Sequence, residues 1–207
     1  MTAVKICGLV RLEDIFAVNR HRPDFAGFVF APGRRRLNQQ DVARLTALLD
    51  GGIVPAGVFA DERAEAVAAT ARACRLGAVQ LHGGETNEYI AALRALLPPG
   101  VLVFKAIRVR DASSLEQAER AVCDLLVLDA YADGALGGTG RTFDWSLLRG
   151  FPRPFLLAGG LNADNVAEAV AMLQPYGVDV SSGVETEGRK DEAKIMKFLS
   201  LARSETR

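Results

Sequence analysis

Short apolar runs rich in β-branched and aromatic residues alternate along the chain with stretches in which apolar residues return every three to four positions. The runs are Val4 to Cys7, Ala26 to Phe30, Ile53 to Phe59, Ala78 to Leu81, Val101 to Ile107, Leu125 to Asp129, Phe155 to Ala158 and Val178 to Ser181. Their length and composition predict strands. The stretches between them predict helices that start at recognisable capping residues. Asn38 precedes Val42, Leu45, Leu48 and Leu49; Thr86 precedes Tyr89, Ile90, Leu93 and Leu97; Asn162 precedes Val166, Ala169, Val170 and Leu173. Ser114 with Gln117 has the spacing of a capping box. The connection from Leu128 to Phe155 is the weak unit, because Asp144 to Leu148 allows only a short helix after a glycine-rich loop. It still completes eight repeats.

Alternating β and α elements imply a parallel sheet, and eight of them at even spacing predict a single-domain (β/α)₈ TIM barrel spanning residues 1–207. With 207 residues the chain is shorter than the ~250 typical of that fold, so its loops must be lean. A doubly wound open sheet is the competing architecture, but no G-x-G-x-x-G follows the first strand. No Pro/Gly/Ser-rich linker divides the sequence.

Composition removes several classes of function. The 25 Lys and Arg balance the 25 Asp and Glu, so no excess positive charge is present to bind nucleic acid or an anionic membrane surface. No segment sustains the roughly 18 apolar residues of a spanning helix, and the N-terminus lacks a long apolar run. A soluble, cytoplasmic protein with a small-molecule partner is expected. Cys7, Cys74 and Cys123 are odd in number and scattered. That argues against a disulfide framework and against a structural metal.

In a barrel, the loops after the strands carry the chemistry. Cys7 ends the first strand and is followed by Gly8; a small buried hydrophobe is the plainer reading, but the position is one where barrels place catalytic side chains. Asp129 ends the sixth strand. Burying an unpaired carboxylate is costly, so packing explains it poorly, and a helix cap or loop salt bridge is the structural alternative. A partly desolvated carboxylic acid at that place can donate a proton near neutral pH. Gly159-Gly160 and Ser181-Ser182-Gly183 follow the seventh and eighth strands, where barrels commonly bind phosphate through backbone N–H groups. Gly137 to Gly140 adds a flexible stretch after the sixth strand. Arg34-Arg35-Arg36 is either a solvated run or an anion-binding fork. His82 ends the fourth strand, and Asp179 lies inside the last, where it would orient a substrate or cap the interior.

Taken in order, Lys5-Ile6-Cys7-Gly8, Gln80-Leu81-His82-Gly83, Leu128-Asp129, Gly137-Gly138-Thr139-Gly140, Phe143-Asp144-Trp145, Leu157 to Leu161 and Asp179 to Glu185 resemble the phosphoribosylanthranilate isomerases of tryptophan biosynthesis. The resemblance runs from Lys5 to about Asp191. It implies an intramolecular oxidoreductase, an aldose–ketose isomerase that performs an Amadori rearrangement without cofactor or metal. It further implies Asp129 as general acid, Cys7 as base at C2, and Arg36, His82, Gly138 and Asp179 as substrate-binding residues. Gly159, Gly160, Ser181, Ser182 and Gly183 would hold the phosphate, and the assembly would be a monomer or weak homodimer. The family usually has Ser-Pro-Arg where this chain has Arg34-Arg35-Arg36, so the loop loses a proline and the arginine that meets the substrate carboxylate is left open among the three. On position alone, the carboxylate and phosphate loops are expected on opposite sides of the barrel mouth.

Three other readings fit parts of the pattern. An isomerase of the histidine-pathway aminoaldose resembles this chain but ends its first strand in aspartate. An indole-releasing lyase resembles only the phosphate half. A noncatalytic phosphate-binding barrel would be expected to lack Cys7 or Asp129.

Overall fold

The computed structural model describes residues 1–129 and 145–204. Eight parallel strands form a closed barrel in sequence order: β1 (Ala3–Cys7), β2 (Phe25–Val29), β3 (Val54–Phe59), β4 (Ala78–Leu81), β5 (Leu102–Arg108), β6 (Leu125–Asp129), β7 (Phe155–Ala158) and β8 (Gly177–Val180). β1 closes the ring by pairing with both β2 and β8. The apolar runs of the sequence therefore mark the strands to within about one residue at each end.

Helices α1 (Leu12–His21), α2 (Gln39–Thr46), α3 (Ala64–Ala73), α4 (Asn87–Leu96), α5 (Ala112–Arg120), α6 (Val166–Leu173) and α7 (Glu192–Ser204) surround the barrel. Among its described residues, the weak unit carries only a 3₁₀ turn at Trp145–Leu148, as its short apolar stretch predicts. After β8, a 3₁₀ turn at Ser182–Val184 leads into a two-stranded hairpin, β9 (Glu185–Thr186) and β10 (Arg189–Lys190).

Asn38 and Thr86 cap α2 and α4 as expected, accepting from the N–H groups of Asp41 and Tyr89. Two other starts differ. α5 is capped by Asp111, whose carboxylate accepts from the Ser114 N–H, while the Ser114 hydroxyl accepts from the Asp111 N–H; Ser114 is thus the third residue of the box, not its cap. Asn162 begins a turn ahead of α6 and Asn165 stands at the helix start, its side chain accepting from the Asn162 N–H. α2 also ends at Thr46, short of Leu48 and Leu49, and Leu48 is exposed.

Strand pleating sorts each run onto two faces. Outward residues such as Val4, Ile6, Phe28, Leu81, Leu126 and Leu128 are fully buried under the helices, against Ile15, Ile90, Leu93 and Phe198. Inward residues fill the barrel. Its base is apolar: Ala3, Ala56 and Ala78 leave room for Phe25 and Phe104, whose rings meet edge to face at 5.3 Å. One or two pleats higher, the inward positions become polar, with Lys5 and Cys7 on β1, Gln80 on β4, Asp129 on β6 and Asp179 on β8. The barrel is thus a packed apolar plug below and a polar surface above.

Candidate active site

Parity brings the site together. Ala3, Lys5 and Cys7 share one face of β1, and the register sets Lys5 beside Asp179 and Cys7 beside Gly27. A Cβ on Gly27 would fall 2.8 Å from the Cys7 sulfur, so the missing side chain on β2 makes room for the thiol. Asp129 closes β6 next to Arg108 of β5 and Ala158 of β7 in the register.

A cavity of about 470 Å³ opens above these strand ends. Cys7, His82, Asp129, Asp179, Gly159, Gly160, Ser181, Ser182 and Gly183 all line it, so nine of the sequence candidates converge on one space. Val29, Ala31, Pro32, Val58 and Ala60 form an apolar wall on the β2–β3 side. Gly138 lies outside the described residues. Arg36 is exposed and is not part of the cavity wall.

The electrostatics are dominated by burial and by ion pairs. Lys5 Nζ sits 2.7 Å from Asp179 Oδ2, and Lys5 has no exposure to solvent. Burial acts against this ammonium, but Asp179 and then Cys7 outweigh it and hold the Lys5 pKa above its ordinary value. Burial pushes the Cys7 thiol up; Lys5 and Lys190 oppose that rise and Asp179 adds to it. Burial lowers the His82 pKa, with Asp129 acting the other way, which favours the neutral imidazole. Its Nδ1 is 3.3 Å from Gln80 Nε2. Two buried acceptors, Asp179 Oδ1 and Gln80 Oε1, have no hydrogen-bond partner among the described residues. Both residues line the cavity, and buried acceptors left in this state mark a place where ligand donors belong.

Glu185 organises the rim. Its carboxylate accepts from Arg34 at 2.5 Å, from Arg35 Nε and Nη2 at 2.8 Å each, and from Lys190 Nζ at 2.8 Å. Burial alone would raise its pKa, but Arg35 and Lys190 bring it down to about 2. Arg35 reaches Glu185 by lying across Gly8, where an added Cβ would collide with its side chain and where φ is +79°. Lys190 Nζ also donates to the Ser181 carbonyl, and the Ser181 hydroxyl donates to the Cys7 carbonyl. The expectation that arginine and phosphate loops face each other across the mouth is therefore corrected. β1 alone separates β2 from β8, and Glu185 ties the two loops together.

Lys5, Gln80, Glu185 and Lys190 received no role from the sequence. For the first two a signal was present: each is a polar residue inside an apolar strand, at the parity of Cys7 or His82. For Glu185 the arginines left none, since they are 150 and 151 residues away, and only Lys190, five residues on, is local.

The chain is similar to known proteins along nearly its whole length. Residues 4–200 match the family model described as N-(5'phosphoribosyl)anthranilate (PRA) isomerase. The chain is 46% identical to the N-(5'-phosphoribosyl)anthranilate isomerase of Acetivibrio thermocellus, over 98% of this chain and 96% of that protein. It is 44% identical to the enzyme of Endomicrobium trichonymphae, over 99% and 100%. Among solved structures it resembles phosphoribosyl anthranilate isomerase from Thermotoga maritima, with a TM-score of 0.88 and 37% identity over 98% of this chain and 99% of that one. It also resembles a phosphoribosyl anthranilate isomerase crystallised with reduced 1-(o-carboxyphenylamino)-1-deoxyribulose 5-phosphate, at a TM-score of 0.85 and 36% identity over the same shares.

Proposed function

The chain belongs to the N-(5'-phosphoribosyl)anthranilate isomerase family, and from that premise we propose that Cys7 and Asp129 are the base and the acid of its reaction. The enzyme converts N-(5-phosphoribosyl)anthranilate into 1-(2-carboxyphenylamino)-1-deoxyribulose 5-phosphate, an aldose–ketose isomerisation in tryptophan biosynthesis. The observation that carries the proposal is the convergence of a thiol and a carboxylate, from the ends of β1 and β6, on one cavity.

Asp129 protonates the furanose ring oxygen. The C1–O bond breaks as the nitrogen lone pair forms the C1=N iminium, and the sugar opens. The iminium acidifies the C2 proton, which the Cys7 thiolate removes; the electron pair moves into the C1–C2 bond and the iminium pair returns to nitrogen. The enolamine then tautomerises to the ketone, so the overall change is an isomerisation with no net proton gain.

The remaining groups hold the substrate in this geometry. Gly159, Gly160 and Ser181 to Gly183 receive the phosphate. The apolar wall of Val29, Ala31, Pro32 and Val58 accommodates the anthranilate ring, and Arg36 at its outer end meets the carboxylate. Asp179 Oδ1, Gln80 Oε1 and His82 accept or donate hydrogen bonds to the hydroxyls of the opened sugar; the unpartnered state of the two oxygens supports this. Among the described residues no helix is long and apolar enough to cross a membrane, which accords with a cytoplasmic site of action.

Decay of phosphoribosylanthranilate fluorescence on adding the purified protein tests the reading. A folded protein that binds a product analogue but leaves the fluorescence unchanged beyond its spontaneous decay would overturn it.

A further inference from the structure

Lys5 has no part in the reaction derived above, yet it is among the largest fully buried side chains of the described residues. An ion pair at this depth is expensive to desolvate, and an apolar side chain of similar size would pack the barrel at least as well. Packing therefore does not explain it. The pleat of β1 aims Lys5 and Cys7 to the same side, two residues apart, and the register with β8 sets Asp179 beside Lys5. Of the three N–H donors on Nζ, one goes to Asp179 Oδ2 at 2.7 Å, and the shared face of β1 sets the Cys7 side chain on the same side of the strand.

We propose that Lys5 is a positioning residue of the isomerisation, the ammonium against which the Cys7 thiolate forms, and that Asp179 is the counter-ion that keeps this ammonium charged inside the barrel. The inference rests on the assignment of Cys7 as base. A desolvated thiol is a poor source of thiolate, because loss of water disfavours the charged form. Ionisation sends the S–H proton to water and leaves a second anion beside Lys5. The ammonium then faces two anions: the Asp179 carboxylate throughout, and the sulfur while the base is ionised. When the thiolate takes the C2 proton, the S–H bond is restored and Lys5 returns to Asp179 alone.

The other charged groups around Cys7 do not replace Lys5 in this role. Lys190, from β10, also acts on the sulfur, but its Nζ is held by Glu185 and the Ser181 carbonyl. Arg35, from the loop after β2, is held by both oxygens of Glu185. β2 presents Gly27, which carries no charge. Asp179 on β8 opposes the thiolate, and Asp129 and His82 line the same cavity from β6 and from the end of β4.

The test follows carbamidomethylation of Cys7 by iodoacetamide as a function of pH, read by mass spectrometry of the peptide that contains it, alongside the pH profile of kcat/KM. Lys5→Met should raise the midpoint of Cys7 reactivity by about one pH unit or more, the size of effect an adjacent opposite charge produces. Asp179→Asn should lower it, because the ammonium is then left to the sulfur. The rising limb of kcat/KM should move with the thiol in each case. A structural role for the pair would give both variants the same sign or no shift at all, and either result overturns the proposal. Should Lys5→Met fail to fold, the downward shift in Asp179→Asn still decides it. A thiol midpoint that moves while the kcat/KM limb stays in place would overturn the assignment of Cys7 as base, and with it this role for Lys5.

Discussion

Gly27 stands directly across the β1–β2 ladder from Cys7, and a methyl group there would lie 2.8 Å from the sulfur and 2.9 Å from the Cys7 Cα. Both contacts are closer than real Cβ atoms tolerate, and one of them is to backbone, so the clash cannot be relieved by rotating the thiol alone. Gly27→Ala should therefore lower kcat by at least about tenfold through displacement of the sulfur, and should destabilise the fold by roughly 1–3 kcal/mol, as overpacking of a filled interior does. Urea unfolding and steady-state kinetics measure the two effects. Wild-type kcat in the folded variant would mean that the sulfur need not occupy this position.

Removing either of the proposed acid–base groups should be more damaging than displacing one. Cys7→Ala and Asp129→Asn should each reduce turnover by about a hundredfold or more, the lower range of acid–base contributions. Binding of a reduced product analogue should survive in both, because neither side chain anchors the phosphate. Near-normal turnover in a folded Cys7→Ala protein would return the thiol to a packing role, and the same result for Asp129→Asn would make that carboxylate structural.

How much of this was legible in the sequence depends on the range over which each feature is determined. The strands were legible because each is a local run, and their alternation leaves few topologies. Cys7 and Asp129 stood out because reactive residues end apolar runs. Asn38 and Thr86 were readable as caps for the same local reason, whereas Ser114 was misread because a serine at the third position of a box looks like a cap until the aspartate before it is weighed. Lys5 was hidden within its own motif. Only the counting of alternate residues from Ala3 shows that it faces inward, and only barrel closure, which sets β8 against β1, supplies Asp179. The Glu185 network is local only in its lysine, which comes from the hairpin partner β10; its arginines come from the loop after β2, about 150 residues away.

That network makes a pH-dependent contribution to stability. The Glu185 pKa of about 2 lies below the ~4.3 of a glutamate in the unfolded chain. A carboxylate with a lowered folded pKa stabilises fully above its unfolded value, and its contribution fades as pH falls through the folded value. The gap in urea midpoint between wild type and Glu185→Gln should accordingly be constant above about pH 5 and shrink between about pH 4 and pH 2. A gap that stays unchanged down to acid unfolding would show that the arginines and Lys190 do not stabilise the charged form.

The same network sorts the three arginines, which the sequence could not do. Arg34 and Arg35 are engaged by Glu185, whereas the Arg36 side chain makes no hydrogen bond among the described residues and projects from a loop anchored at both sides. Its backbone is fixed, since Arg36 bridges to Val29 at the end of β2 and its N–H donates to the Gly33 carbonyl. A guanidinium presented in this way can take a carboxylate through two parallel N–H donors, which Lys would not reproduce. Arg36→Met should weaken binding of a product analogue that carries the anthranilate carboxylate by about ten- to a hundredfold, the loss expected for a hydrogen-bonded charge worth roughly 1.5–3 kcal/mol. An analogue without the carboxylate should bind the variant almost as it binds wild type. Arg35→Met, by contrast, should weaken both analogues alike, because it disturbs Glu185 and through it the Lys190–Ser181 contacts beside the phosphate loop. Calorimetric titration of both ligands into the three proteins separates the roles. If Arg36→Met costs the two ligands equal affinity while Arg35→Met discriminates between them, then Arg35 leaves Glu185 to meet the carboxylate, and the resting ion pair is the state that substrate displaces.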